Sequence, residues 1–149
     1  RTFAMHPASP MKKMVEEGIF VPMTDEEIVG EIRLLVSCLD KIHSYFSCAD
    51  FSLNLLMQVD GYLDEKRDWM LEELDRYLAL TELQKKAYSL LRRSTYMQYP
   101  VDAVQNDAHM KQIIPEIEKL EKSGKDGFNK YIQLLMSYQL PQPQTENWS

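Results

Sequence analysis

The chain is poor in the residues that build disulfide frameworks and membrane spans. It has two cysteines, Cys38 and Cys48, with nine residues between them and no CxxC pair. We therefore expect free thiols in a reducing compartment rather than a disulfide scaffold. No apolar run approaches the ~20 residues that cross a bilayer, and none resembles a secretory signal. The sequence thus predicts a cytoplasmic protein with no membrane partner.

Concentrated positive charge is also missing. The formal net charge is −6, and lysine and arginine are interspersed with aspartate and glutamate. Binding to nucleic acid or to anionic lipid is therefore not expected. With 44% apolar and 27% charged residues, the composition is ordinary for a globular domain. The first residue is Arg1 rather than methionine, so we expect the chain to come from a longer or processed protein.

Helical signals cover most of the chain. Ser9-Pro10 predicts the start of a short helix that Gly18 closes. Thr24 and Glu27 form a capping box, and a second helix follows them. Its predicted apolar stripe, at helical spacing, consists of Ile28, Ile32, Leu35, Val36 and Leu39.

Further helices are predicted downstream. Asp64 is expected to cap a third helix, and Thr81 with Gln84 to cap a fourth. Pro115 is expected to bend or restart the helix that Ser123-Gly124 ends. The predicted buried side chains of these segments are Met70, Leu74, Tyr77, Leu78, Leu83, Ala87, Leu90, Leu91, Met110, Ile113, Ile117, Leu120, Phe128, Tyr131, Ile132, Leu135 and Met136.

Residues 43–48 (HSYFSC) read as a short strand, but the sequence offers no convincing partner for it. Because an isolated strand leaves its backbone groups unpaired, we expect this segment to belong to a sheet outside the chain. The fold prediction is a mostly α protein, an irregular bundle of five or six helices with at most a short strand pair near residues 43–48.

Five short pieces in order give a resemblance to a known family. They are residues 6–10 (HPASP), 18–22 (GIFVP), 25–35 (DEEIVGEIRLL), 47–55 (SCADFSLNL) and 61–66 (GYLDEK). Together they resemble the C-terminal segment of radical S-adenosylmethionine (radical SAM) iron–sulfur proteins, over roughly residues 5–80. Ala8 and Asp64 depart from the family pattern, which has Gly and Pro there.

The resemblance implies a division of the chain and a function. Residues 1–80 would form the C-terminal edge of a catalytic barrel, 81–140 a helical extension, and 141–149 a disordered tail. The family holds its cluster with three cysteines in a CxxxCxxC loop, which this chain lacks. No cofactor is therefore expected here, whereas a [4Fe-4S] cluster and S-adenosylmethionine are implied for the parent protein. The chain would close the barrel and be inactive by itself.

The resemblance also places a polar loop near the barrel opening. Asp50, Ser52 and Asn54 would face substrate or cofactor there. The alternative is that these side chains satisfy local backbone groups in a turn, as such residues often do. No residue is predicted to be catalytic or to bind a metal. His6, His43 and His109 with the two cysteines show no zinc spacing.

Two kinds of partner are predicted, one for each hypothesis about the function of the chain. If the chain was cut from a barrel, its partner is the barrel domain, and an apolar face is left exposed that favours a homodimer. That face would include Phe46, Phe51, Leu55 and Leu56. The alternative function is a free-standing helical domain that binds a protein through an apolar or tyrosine-rich groove. The tyrosines are Tyr88, Tyr96, Tyr99, Tyr131 and Tyr138. Core filling is the expected role of Met70, Met97, Met110 and Met136.

Overall fold

The computed structural model describes residues 5, 9–48, 54–95 and 97–138, excepting the side chain of Asp107. In these residues six α-helices, a 3₁₀ helix and a two-stranded antiparallel sheet make an irregular bundle, as predicted. The helices are α1 (Met11–Glu16), α2 (Asp25–Cys38), α3 (Leu63–Leu78), α4 (Glu82–Ser94), α5 (Asp107–Lys122) and α6 (Gly127–Tyr138), the strands are β1 (Tyr45–Ser47) and β2 (Asp60–Tyr62), and the 3₁₀ helix is Val101–Gln105.

Both predicted capping boxes are confirmed. The Thr24 hydroxyl accepts from the Glu27 N–H at 3.3 Å, and Glu27 Oε2 accepts from the Thr24 N–H at 2.7 Å. Thr81 and Gln84 make the same reciprocal pair at 3.3 and 3.0 Å. These bonds satisfy backbone donors that a helix start leaves open, which fixes where α2 and α4 begin.

The helix start predicted at Ser9-Pro10 is confirmed: Pro10 is the N-cap of α1, and the Ser9 hydroxyl accepts from the Met11 N–H at 3.3 Å. The predicted cap of α3 is wrong. Tyr62 is the N-cap of α3 and makes no side-chain cap, while Asp64 lies inside the first turn with Oδ2 2.8 Å from His43 Nδ1. The incoming strand fixes the start of α3, so no hydroxyl or carboxylate cap is needed. The helix α5 runs through Pro115 without the predicted restart.

The core lies where α2 packs on α3 and where α4 packs on α5 and α6. Val29, Ile32, Val36 and Leu39 step by three and four residues and face inward. Leu35 is half-exposed, contrary to the prediction, because one residue rotates a helix by about 100° away from Val36. Leu83 and Met97 are also exposed rather than buried. The deepest apolar side chains of the other elements are Met70, Leu74, Tyr77, Ala87, Tyr88, Val101, Val104, Ile117 and Met136.

The prediction that the strand partner lies outside the chain is wrong. β1 pairs with β2, with Tyr45 opposite Tyr62 and Phe46 opposite Gly61. β2 has the sequence DGY, and Asp and Gly are depleted in strands, so no strand pattern marks it. Gly61 has φ +143°, and a Cβ there would meet the Lys66 Cδ at 2.6 Å. Only glycine fits this turn from strand into α3 without a shift of Lys66.

The apolar face expected to be left exposed is largely internal. Leu55 and Leu56 are each 3% exposed, and Phe46 is half-buried against the same core. Phe51 lies outside the described residues. Both leucines therefore belong to this chain's own core. None of the helices in the described ranges is both long and apolar enough to cross a bilayer.

Candidate functional site

A groove of about 610 Å³ opens between the α1–α2 linker, α4 and α6. A cavity of this size lies within the range of ligand pockets in proteins. We call it the α4–α6 groove. It is lined by Met5, Lys12, Val15, Phe20, Val21, Pro22, Met23, Thr24, Asp25, Glu26, Tyr77, Glu82, Lys85, Lys86, Ser89, Lys125, Asp126, Phe128, Asn129, Lys130, Ile132, Gln133, Leu134 and Ser137.

Apolar side chains form two facing walls of the groove. The linker provides one wall, in which Val21 is 77% exposed. The other wall is α6, where Phe128 and Ile132 stand one turn apart and are only 7% and 5% exposed. Leu134 is 41% exposed at the rim. The groove therefore presents apolar surface that no described residue of this chain covers.

Asp25 lies in the floor of the groove and belongs to a buried ion pair. Asp25 Oδ1 lies 2.6 Å from Arg93 Nη2, and the two side chains are 5% and 0% exposed. Asp25 is the first residue of α2, where the helix dipole also favours a carboxylate. The pair ties the start of α2 to the end of α4 and balances two buried charges.

Lys85 occupies the side of the groove next to this pair. Its Nζ lies 2.6 Å from Glu26 Oε1 and 3.2 Å from Glu82 Oε1. The hydrogen bond with Glu26 raises the pKa of Lys85, so the amine stays charged near neutral pH. An amine held in this way is suited to fixing the groove wall rather than to acting as a nucleophile.

The groove hydroxyls are engaged in structural contacts. Tyr77 is 1% exposed, and burial raises its pKa while a hydrogen bond from the neighbouring Ser89 opposes the rise. The Ser137 hydroxyl donates to the Leu134 carbonyl at 2.7 Å, and Thr24 is in its capping box. Nucleophilic catalysis needs a hydroxyl or thiol beside a free base. The described groove residues offer binding surface instead.

Lysines stand at the open end of the groove. Lys125 and Lys130 are exposed on either side of the α6 N-terminus. Lys86 Nζ lies 6.0 Å from the centre of the Phe128 ring and 2.5 Å from Glu121 Oε1. Lys86 is therefore ion-paired, and Asp126 also lines this end, so Lys125 and Lys130 give the rim a small excess of positive charge beside an apolar wall.

The linker and α1 make weak contacts with the rest of the groove. α1 has no buried residue. The Gln133 Nε2 donates to the Met23 carbonyl at 3.5 Å, a long hydrogen bond, while Gln133 Oε1 is buried without a partner among the described residues. A buried acceptor without a donor costs free energy, so this contact is a weak point of the groove wall.

Of the residues predicted to face a cofactor, the described one, Asn54, does not line this groove. Asn54 is 5% exposed, and its carbonyl accepts from Arg92 Nη2 at 3.2 Å. Asp50 and Ser52 lie outside the described residues. Of the predicted tyrosine set, Tyr88 is buried and its hydroxyl donates to the Tyr99 carbonyl, Tyr138 is 62% exposed on α6, and Tyr96 lies outside the described residues.

The sequence showed the parts of the groove but not their assembly. The sequence predicted that Phe128 and Ile132 lie on one apolar face of the last helix. It also predicted that Thr24 caps the start of α2. The linker between α1 and α2 carries no periodicity, so nothing marked it as a wall. Met23 in the linker and Gln133 in α6 are in contact although they are 110 residues apart in the sequence. A local sequence pattern gives no signal of a contact over that separation.

The chain's own residues do not fit an iron–sulfur cluster, which needs several thiolates. Cys38 is exposed, whereas Cys48 is buried, and burial raises the pKa of its thiol to about 11. In the described part of the chain, no group of three or more His, Cys, Asp or Glu residues is placed to hold a metal ion.

No protein-family model, curated protein or solved structure matches this chain. The resemblance to radical SAM proteins therefore stays a prediction.

Proposed function

We propose that this chain is a protein-interaction module whose α4–α6 groove holds an amphipathic helix of a partner protein. The observation that carries the proposal is an open apolar groove whose buried charged groups, deep in the walls, are already paired, while Lys125 and Lys130 remain at the rim. The pairs Asp25–Arg93 and Lys85–Glu26 stabilise the walls and leave the apolar surface as the part available to a ligand.

The shape and the charge of the groove favour one kind of occupant. An amphipathic helix inserts apolar side chains at i, i+3, i+4 and i+7 into a groove between helices. Lys125 and Lys130 at the rim favour acidic residues on the flank of that helix. We therefore propose an apolar face bordered by glutamate or aspartate.

The free thiols, including the buried Cys48, support a reducing compartment, and we propose the cytoplasm. The first sequence-based hypothesis, a closing region of a radical SAM enzyme, stays a prediction. Its test is the protein sequence that precedes Arg1, which should contain CxxxCxxC if that hypothesis is right. No contact among the described residues favours it over the binding module.

The proposal can be tested with a synthetic helix. The probe carries leucine at i, i+3, i+4 and i+7 with flanking glutamates, and its binding to the full chain is measured by calorimetry. Leu134→Asn should weaken binding about tenfold, the loss expected when a buried leucine contact is removed. Leu83→Asn is the matched control, since Leu83 is 39% exposed and lies outside the groove.

A second pair of variants tests the charge of the rim. Lys130→Glu should weaken binding of the acidic helix and reduce its salt dependence, because the rim would repel the flanking glutamates. Lys111→Glu, on the exposed side of α5, should leave the affinity unchanged. Equal binding of a helix with scrambled leucines would contradict the proposal. So would saturable binding of an apolar dye that the helix fails to displace, which would indicate a small-molecule pocket.

A further inference from the structure

The outer face of the β1–β2 hairpin carries three exposed rings. Tyr45 and Tyr62 are cross-strand partners, 54% and 42% exposed, with ring centres 5.1 Å apart at an interplanar angle of 90°. The His43 ring stacks on Tyr62 at 4.9 Å with an interplanar angle of 5°. We call this set the hairpin ring cluster. None of its residues lines the α4–α6 groove.

A carboxylate stands at each end of the cluster. The Tyr45 hydroxyl donates to Asp60 Oδ2, and His43 Nδ1 lies 2.8 Å from Asp64 Oδ2. These bonds hold the rings in place and bring negative charge beside their faces. Asp60 Oδ1 is buried, so Asp60 presents only Oδ2 to this face, whereas Asp64 is 39% exposed in its side chain.

The exposed rings of the cluster are not what anchors the hairpin to the core. The hairpin is anchored by its other face, where Phe46 and Gly61 turn inward. Lys66 lies against Gly61, which alternates to the opposite side of the strand from Tyr62. The ring face therefore has acidic neighbours rather than a lysine.

We propose that the hairpin ring cluster binds an arginine-bearing segment of a partner protein. A guanidinium group is planar, stacks on aromatic rings and forms hydrogen bonds with carboxylates in a fixed fork. The exposed tyrosine rings supply the stacking surface, Asp64 supplies the exposed carboxylate acceptor, and Asp60 Oδ2 adds negative charge beside Tyr45. The net charge of −6 adds long-range attraction for a basic segment. Lysine fits less well because its ammonium is a hydrated point charge.

The experiment uses the full chain and three capped pentapeptides with the pattern Gly-X-Gly-X-Gly, where X is arginine, lysine or citrulline. Binding is followed by the amide signals in two-dimensional NMR. The arginine peptide should shift the signals of Tyr45, Gly61 and Tyr62 most. Tyr62→Leu should weaken its binding about two- to fivefold, the range expected from loss of one exposed cation–π contact.

Matched variants separate recognition from general charge attraction. Tyr138→Leu removes a tyrosine on α6 that is 62% exposed, more than Tyr62, and should leave the affinity unchanged. Asp64→Asn keeps the side-chain shape and should also weaken binding, with thermal unfolding measured to confirm an intact fold. Three results would overturn the proposal: equal binding of the citrulline peptide, equal weakening by Tyr138→Leu, or shifts spread over all acidic segments. None of these results bears on the groove.

Discussion

Asp25 and Arg93, which are 68 residues apart in sequence, form a salt bridge with an Oδ1–Nη2 distance of 2.6 Å and nearly complete burial of both side chains. The bridge connects the first turn of α2 with the last turn of α4. Both helices begin at capping boxes, so local hydrogen bonds fix where each helix starts. The salt bridge then joins the start of α2 to the last turn of α4, a contact that no local pattern specifies. The groove floor depends on that junction.

Asp25→Ala should lower the free energy of unfolding by about 3–5 kcal/mol, because Arg93 would lose the carboxylate that balances its buried charge. Urea denaturation of the variant and the parent chain measures the change. The control is Asp75→Ala, which breaks the exposed ion pair with Arg33. It should move the unfolding midpoint little, since exposed pairs are screened by solvent. Equal effects of the two variants would show that the buried pair is not a major contact.

Stability should fall at alkaline pH, in part through Tyr88. Burial raises its pKa from the ordinary 10.0 to about 12. An unfolded tyrosine loses its proton near pH 10 while the folded one keeps it, so the folded state binds more protons between these values. The tyrosine contribution is therefore full below pH 10 and is lost as the pH rises towards 12. Urea midpoints measured from pH 8 to 11 should show the fall.

Tyr88→Phe should make that fall shallower. The raised pKa values of Tyr77 and Cys48 act with the same sign, so the variant reduces the slope without abolishing it. Val104→Ala is the control, because it weakens the core without removing an ionisable group. It should lower stability by a similar amount at every pH. An unchanged slope in Tyr88→Phe would contradict the prediction.

The two cysteines should differ sharply in reactivity. Raising a thiol pKa from 9.0 to about 11 lowers the thiolate fraction at pH 8 about a hundredfold. In Cys38→Ser, alkylation of the native chain should therefore be very slow, and it should become fast in urea. Cys48→Ser should react quickly without denaturant, because Cys38 is exposed. Fast alkylation of native Cys38→Ser would show that Cys48 is not protected.

Local patterns predicted most of the helices well. The starts of α2 and α4 follow from Thr24 with Glu27 and Thr81 with Gln84, because each box satisfies its own backbone donors within four residues. The α6 face follows from apolar side chains at helical spacing. The hairpin could not be predicted in the same way. Its second strand is three residues long and contains Gly61, and only pairing with β1 makes it a strand.

The misplaced side chains have a similar cause. Leu55 and Leu56 were expected on an exposed face, yet they are buried in the core, in the segment that leads into β2 and its pairing with β1. Asp64 was expected to cap α3, yet its carboxylate lies against the ring of His43, which is 21 residues earlier in the sequence. In each case a contact distant in sequence decided what a local pattern left open.

The sequence by itself determined the helical class, the two capped helix starts and the apolar faces of α3 and α6, because these depend on hydrogen bonds and spacing within a few residues. Tertiary structure alone decided that Asp25 meets Arg93, that the linker faces α6 to form the groove, and that three rings share the outer side of the hairpin. Such contacts join segments tens of residues apart, and their formation depends on burial of the whole core rather than on any local preference.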